Sequence, residues 1–303
     1  GKDFLRTLPG VGPILHQETG IGVAFFDFFN IGVTPYCLVV HTDGSIHAVN
    51  TISRVATQII GAGAIQNPSS SNIGITQWGS TFVLIVADQT DGYFAWDGTT
   101  FYVPGATIPG HGVMPTGIHG TAIEVYTSRI WIANGAIIVF SAPGDFIDFA
   151  TADGGGSFTS NDSFLRVHFT ALKSTNGFLY LIADSSINYI SGVNTTGSGP
   201  AVTTFTNQNA DPEIGTPYAN TVDVFSRNIL LANAFGAHVS YGGAVTKMSD
   251  ALDGIYATVP NFGGLALSAA KAIIFGKKVW MVLIPVIDLI TGQQVNKLFM
   301  WDG

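Results

Sequence analysis

The sequence predicts an all-β protein, a single β-propeller of about six four-stranded blades. Three observations carry that expectation: helical periodicity is almost absent, turn residues are abundant, and one strand pattern returns six times. Of 303 residues, 37 are glycine and 13 proline. They punctuate short β-branched and aromatic runs instead of the stripes an amphipathic helix needs. One segment, Gly264 to Lys271, reads as strand as readily as helix. A chain of this length buries about three-quarters of its unfolded surface, so a core forms without disulfides. The single cysteine, Cys37, is expected as a small buried apolar residue.

The repeat is found by aligning the most apolar run of each region. These runs are Cys37 to Val40, Phe82 to Val86, Ile130 to Ala133, Phe178 to Ala183, Ile229 to Ala232 and Val279 to Val282. Their starts are 45, 48, 48, 51 and 50 residues apart, the spacing of four-stranded propeller blades, roughly 40–50 residues. Turn residues precede several runs: Ser128-Arg129, Asn176-Gly177, Arg227-Asn228 and Lys277-Lys278. A further strand follows each run, as in Ser45 to Val49, Gly92 to Trp96, Ala136 to Phe140 and Lys297 to Trp301. Upstream lie strands of apolar and small residues, such as Ala122 to Tyr126 and Thr221 to Phe225, suited to the crowded centre of a propeller.

The blades are therefore placed near residues 20–60, 75–105, 120–150, 165–206, 218–258 and 265–303. The last blade ends at Trp301-Asp302-Gly303, where the second blade continues from Trp96-Asp97-Gly98 into a fourth strand. The missing strand is assigned to Phe4 to Leu8, which would close the sixth blade and hide two sheet edges. Deleting Gly1 to Pro9 is then expected to destabilise the ring. Ser191 to Tyr218 is expected to hold an outer strand, Ala201 to Thr206, among loops, and Asp153 to Ser157 is expected to be a loop. Such loops on a rigid scaffold are the natural places for partner contacts.

Composition excludes several function classes. Charged residues make up 11% where about 25% is usual, and hydrophobic residues 47%. The formal net charge is −8, with 12 basic residues scattered along the chain. That argues against a nucleic-acid grip, which needs clustered Lys and Arg. The longest apolar run, from Val279 and interrupted at Pro285 and Asp288, is far shorter than the ~20 residues of a membrane-spanning helix. No signal-peptide pattern stands at the start of the sequence.

No catalytic, cofactor-binding or metal-ligating set is predicted, and no enzyme activity. Serine-hydrolase elbows, zinc signatures and Walker-type loops are absent. Gly154 to Gly156 lacks the lysine and helix of a phosphate loop. His41 and His47 flank the Asp43-Gly44 turn and can approach across a hairpin, but no third ligand of matching spacing is evident. His111 and His119 lie eight residues apart around Pro115. The pairs Asp43-Gly44, Asp91-Gly92, Asp97-Gly98 and Asp302-Gly303 read as turns, since Asp and Gly tolerate positive φ. Of the three glutamates Glu18, Glu124 and Glu213, Glu124 belongs on an inner strand. There it is a charge facing the axial channel or, in a propeller glycosidase or lyase, a catalytic carboxylate. The tryptophans Trp96, Trp131, Trp280 and Trp301 are expected between blades.

Three stretches carry a family resemblance: Phe4 to Val11 (FLRTLPGV), Phe140 to Phe149 (FSAPGDFIDF) and Asn176 to Gly192 (NGFLYLIADSSINYISG). In order and spacing the chain resembles the propeller tail-hub or nozzle proteins of short-tailed bacteriophages, the group that includes the packaged-DNA stabilisation proteins of P22-like phages. Such proteins are expected to be longer than this sequence, with additional C-terminal structure. The resemblance implies a virion structural protein, assembled in the host cytoplasm, with six copies in a ring below the portal and adaptor. That ring would continue the DNA channel, help retain the packaged genome and meet tail fibre or spike proteins. DNA would be passing cargo only, with no membrane insertion and no cofactor. From the residues alone, a carbohydrate-binding propeller that recognises a cell surface is the alternative, ahead of a glycosidase or lyase.

Overall fold

The computed structural model describes residues 14–160, 168–197, 199–240, 244–256, 267–274, 276–288 and 290–302. Blade 1 consists of β1 (Val23–Ile31), β2 (Thr34–His41), β3 (Ile46–Asn50) and β4 (Ala56–Ile60). Blade 2 follows with β5 (Ile73–Trp78), β6 (Phe82–Ala87), β7 (Tyr93–Trp96) and β8 (Phe101–Tyr102). A small hairpin, β9 (Thr107–Ile108) and β10 (Gly112–Val113), leads to blade 3. That blade holds β11 (Ala122–Tyr126), β12 (Arg129–Asn134), β13 (Ile137–Phe140) and β14 (Gly156–Thr159). Blade 4 has β15 (Phe169–Thr175), β16 (Phe178–Ala183), β17 (Ile187–Thr196) and β18 (Val202–Asp211). Blade 5 has β19 (Asp223–Phe225), β20 (Asn228–Asn233), β21 (Gly236–Ser240) and β22 (Val245–Lys247). Blade 6 shows β23 (Ser268–Ile274), β24 (Lys277–Ile287) and β25 (Gln294–Asp302). Every blade is an antiparallel meander paired in chain order. Among the described residues, helix is confined to short turns such as Asp253–Tyr256.

The first strands of successive blades touch in sequence, β1 with β5, β5 with β11, β11 with β15, β15 with β19 and β19 with β23. The Asp27 carboxylate on β1 also lies within electrostatic reach of Lys173, Asp223 and Lys271 on β15, β19 and β23, so the first strands face a common axis. The chain is a six-bladed β-propeller.

Its core is a set of layers between blades. Leu38, Val40 and Ile46 of blade 1 meet Val83 and Ile85 of blade 2. Leu84 and Tyr93 meet Ile123, Ile130 and Ile132. Equivalent layers join blades 3 and 4, 4 and 5, and 5 and 6. Both faces of a blade's second strand are covered this way, which is why β6 reads as an unbroken apolar run. Trp96, Trp131 and Trp280 fill these layers fully, and half-buried Trp301 sits 5.3 Å from the ring of Phe225. The inner strands are crowded: a Cβ on Gly74 of β5 would stand 2.9 Å from the backbone nitrogen of Ile123.

Several boundaries differ from the sequence reading. Blade 3 extends past residue 150, because β14 occupies part of the Asp153 to Ser157 segment expected as loop. Blade 4 extends past 206, because β17 continues through Ser191 to Thr196 and β18 runs to Asp211. These strands are Thr- and Asn-rich and alternate in exposure, so they read as loop by polarity although their β-branched residues favour extended backbone. Arg129, Asn228, Lys277 and Lys278 begin strands instead of forming turns. The turns are Thr127-Ser128 and Ser226-Arg227, all four residues at positive φ. Gly264 to Lys271 resolves as strand from Ser268 onward. The closing strand expected at Phe4 to Leu8 lies outside the described residues.

Candidate functional site

Two places gather the chain's scarce chemistry: the propeller axis and one face of blade 1. At the axis, inner strands carry Asp27, Glu124, Lys173, Asp223 and Lys271. The Lys271 ammonium donates to the Asp223 carboxylate at 2.7 Å. Glu124 accepts from the Ser174 hydroxyl at 2.6 Å and from the Ser174 amide at 3.3 Å. Burial raises the Glu124 carboxyl above its ordinary range, against the opposing pull of Lys173, these hydrogen bonds and Lys271. Burial also raises Asp27, with Asp223 adding to it and the Phe28 amide, Lys173 and Lys271 opposing. Glu124 thus lies on the inner strand where the sequence placed it, among three acids and two lysines carried by the inner strands. At one end of the inner strands, a cavity of about 270 Å³ is lined by Asp88, Asn134, His168 and Thr170 among others. It is smaller than the roughly 300–1,000 Å³ typical of small-molecule sites.

The second place begins with the hairpin of β2 and β3. Val39 pairs with His47, and His41 follows two residues along the same face as Val39. His41 and His47 are therefore diagonal neighbours on one side of the sheet, within reach of each other. Their rings stand 5.0 Å apart, edge to face. The segment preceding β1 crosses this face. Leu15 packs on Cys37, Val39 and Val49, and His16 brings its ring 5.2 Å from His41 and 4.8 Å from His47. His16 Nε2 lies 3.1 Å from His41 Nε2. Glu18 Oε1 stands 3.4 Å from His47 Nε2 and 3.8 Å from His16 Nε2. One ligand atom from each imidazole falls within 4.8 Å of the others. Burial lowers the His47 pKa, positive charge on His16 and His41 lowers it further, and Glu18 and Asp43 oppose.

The pair His41 and His47 was visible in the sequence, and the third imidazole was not. His16 is 25 residues away in the chain, on a segment with no strand pattern. His111 and His119 are not brought into a cluster. His111 packs on Phe82 and Phe146, and His119 hydrogen-bonds Asn134 at 2.7 Å. Asp43 and Asp97 cap their own turns, to Ser45 and to Thr99 and Thr100. Asp91 accepts instead from the Gly117 amide. Cys37 is buried and its thiol is pushed up to about 11 by burial and Asp27. Gly154 turns its carbonyl toward Arg129 at 2.7 Å.

Arg129 is the functional-looking residue the sequence reading placed in a turn. It is 2% exposed and no carboxylate among the described residues pairs with it. Its guanidinium donates to the Ser141 and Gly154 carbonyls at 2.7 Å each, to Thr195 Oγ1, and to Thr203 Oγ1 at 3.2 Å. It straps blade 3 to the long β17–β18 hairpin, and burial lowers its pKa.

No family model matches the sequence, and no curated protein does. Among solved structures, the Cps50 (Swd1) β-propeller domain of Myceliophteria thermophila aligns over 93% of this chain and 97% of its own, at 11% identity and a TM-score of 0.40. Hsv2 of Kluyveromyces lactis aligns over 92% and 98%, at 10% identity and a TM-score of 0.32. The fold assignment rests on the strand pairing itself.

Proposed function

We propose that the chain is a structural component of a phage virion, a tail hub or nozzle that assembles as a ring of six copies. The observation that carries this reading is a surface poor in charge and marked by large apolar side chains in its turns. Val33 is 96% exposed, Phe235 77% and Ile52 76%. Burying such residues against neighbouring copies or partners would remove that apolar surface from water. The resemblance of FLRTLPGV, FSAPGDFIDF and NGFLYLIADSSINYISG to the hub family supports the same reading. The propeller axis carries Asp27, Glu124, Lys173, Asp223 and Lys271, with Lys271 paired to Asp223. In this reading the DNA channel is the opening at the centre of the ring. Six copies at −8 each bring roughly −48, a field that lets DNA pass without holding it. The neighbours are portal and adaptor proteins on one side and fibre or spike proteins on the other.

The test is co-sedimentation with a portal–adaptor complex. Stable co-sedimentation supports the hub. Failure to bind, together with selective signals on a glycan array, would replace it with the carbohydrate-binding reading. Polysaccharide turnover abolished by Glu124→Gln would replace it with the glycosidase or lyase reading.

A further inference from the structure

We propose that His16, His41 and His47, joined by Glu18, bind one divalent transition-metal ion of the zinc, cobalt(II) or nickel(II) class, and that this ion clips the segment at residues 14–18 onto blade 1. The inference does not depend on the assembly reading.

The geometry is close to what such an ion requires. At metal–nitrogen distances of about 2.0–2.1 Å, tetrahedral ligand atoms stand roughly 3.3 Å apart. Here His16 to His41 is 3.1 Å and His47 to Glu18 is 3.4 Å. The three imidazole ligand atoms all lie within 4.8 Å of one another, and His16 sits outside the strands, where side chain and backbone can both adjust. The donor set chooses the metal class. Imidazole suits zinc, cobalt and nickel, while calcium and magnesium prefer cages of oxygen. Glu18 supplies one negative charge, and the Asp43 carboxylate lies within electrostatic reach of His47.

Without an ion the Nε2 atoms of His16 and His41 meet each other. His41 Nδ1 and His47 Nδ1 are buried with no hydrogen-bond partner, and an ion held at Nε2 leaves them so. Two imidazole nitrogens in contact share one proton at most when both rings are neutral. An ion at the centre takes up both lone pairs and replaces that contact. Because ligating histidines usually donate their other ring nitrogen to a carboxylate or carbonyl, this site is expected to bind about 10–100-fold more weakly than one with both partners in place.

The experiment uses the full chain without a histidine tag, stripped by chelator and then freed of it. Cobalt(II) and zinc are titrated by calorimetry, with the visible absorption of cobalt followed in parallel. The expected result is one ion per chain, a cobalt band typical of four-coordination that zinc displaces, and a Tm that climbs with the logarithm of metal concentration. Calcium and magnesium should do none of this. His16→Ala should weaken binding by more than about 100-fold, beyond the effect of losing a supporting hydrogen bond, with the circular dichroism of the propeller unchanged. Glu18→Gln provides an independent variant and should weaken binding to a smaller degree. No binding up to about a millimolar metal, or binding that survives His16→Ala, would overturn the proposal.

Discussion

The two faces of blade 1 are made by the same two strands and differ by one residue of register. Leu38, Val40, Ile46 and Ala48 point toward blade 2 and form a dry apolar layer with Val83, Ile85 and Phe94. Cys37, Val39, His41, His47 and Val49 point the other way, where Leu15 and His16 cross them. Side chains alternate along a strand, so parity alone decides which residue serves packing and which is free for chemistry. The difference teaches that the propeller spends its apolar residues between blades and leaves one blade face to gather imidazoles.

The largest expected contrast comes from removing one side chain from each face. Leu38→Ala should lose about 2–5 kcal/mol in a denaturant melt, as a cavity opens in a packed layer. In chelated buffer, His41→Leu should lose less than that, because it removes one contact to His16 together with a buried Nδ1 that has no partner. Equal losses would erase the distinction between the faces.

Arg129 is a polar group that does serve packing, so it sharpens the comparison. Arg129→Met should cost about 2–3 kcal/mol by leaving buried carbonyls unmet. It should also speed hydrogen exchange in β17 and β18 ahead of blade 1. Uniform exchange would show that the strap does not hold that hairpin.

Glu124 tests the axis. Its folded-state pKa is raised, so it costs nothing below its unfolded value near 4.5, where both states are protonated. The penalty grows as pH rises from the unfolded value toward the folded one and is complete above the folded value. Glu124→Gln should therefore raise the Tm at pH 7 and leave it unchanged near pH 4. A gain of the same size at both pH values would mean that ionisation is not the cause.

The smallest effect belongs to the turn Thr127-Ser128, with φ of 50° and 55°. L-residues pay about 1–2 kcal/mol there. Ser128→Gly should recover about 0.5–1 kcal/mol after the entropy of glycine is counted. Destabilisation would show that the serine side chain holds the turn.

The second strands of the blades were legible because packing on both faces forces long apolar runs, as in Phe82 to Ala87 and Phe178 to Ala183. The inner-strand position of Glu124 followed from the same period. Outer strands were less legible. β14 and β17–β18 face solvent on alternate residues, and Gly156, Asn194 and Thr203 carry the polarity of loops. Half of the histidine cluster was legible, since His41 and His47 flank one turn. His16 and Glu18 were not, because contact across 25 residues through an irregular segment leaves no period to read.

The central functional claim is an assembly, and its mass tests it most directly. Light scattering on the purified chain, alone and then with a portal–adaptor complex, is expected to show about six chains together in at least one of the two mixtures. A mass of one chain in both would contradict the hub.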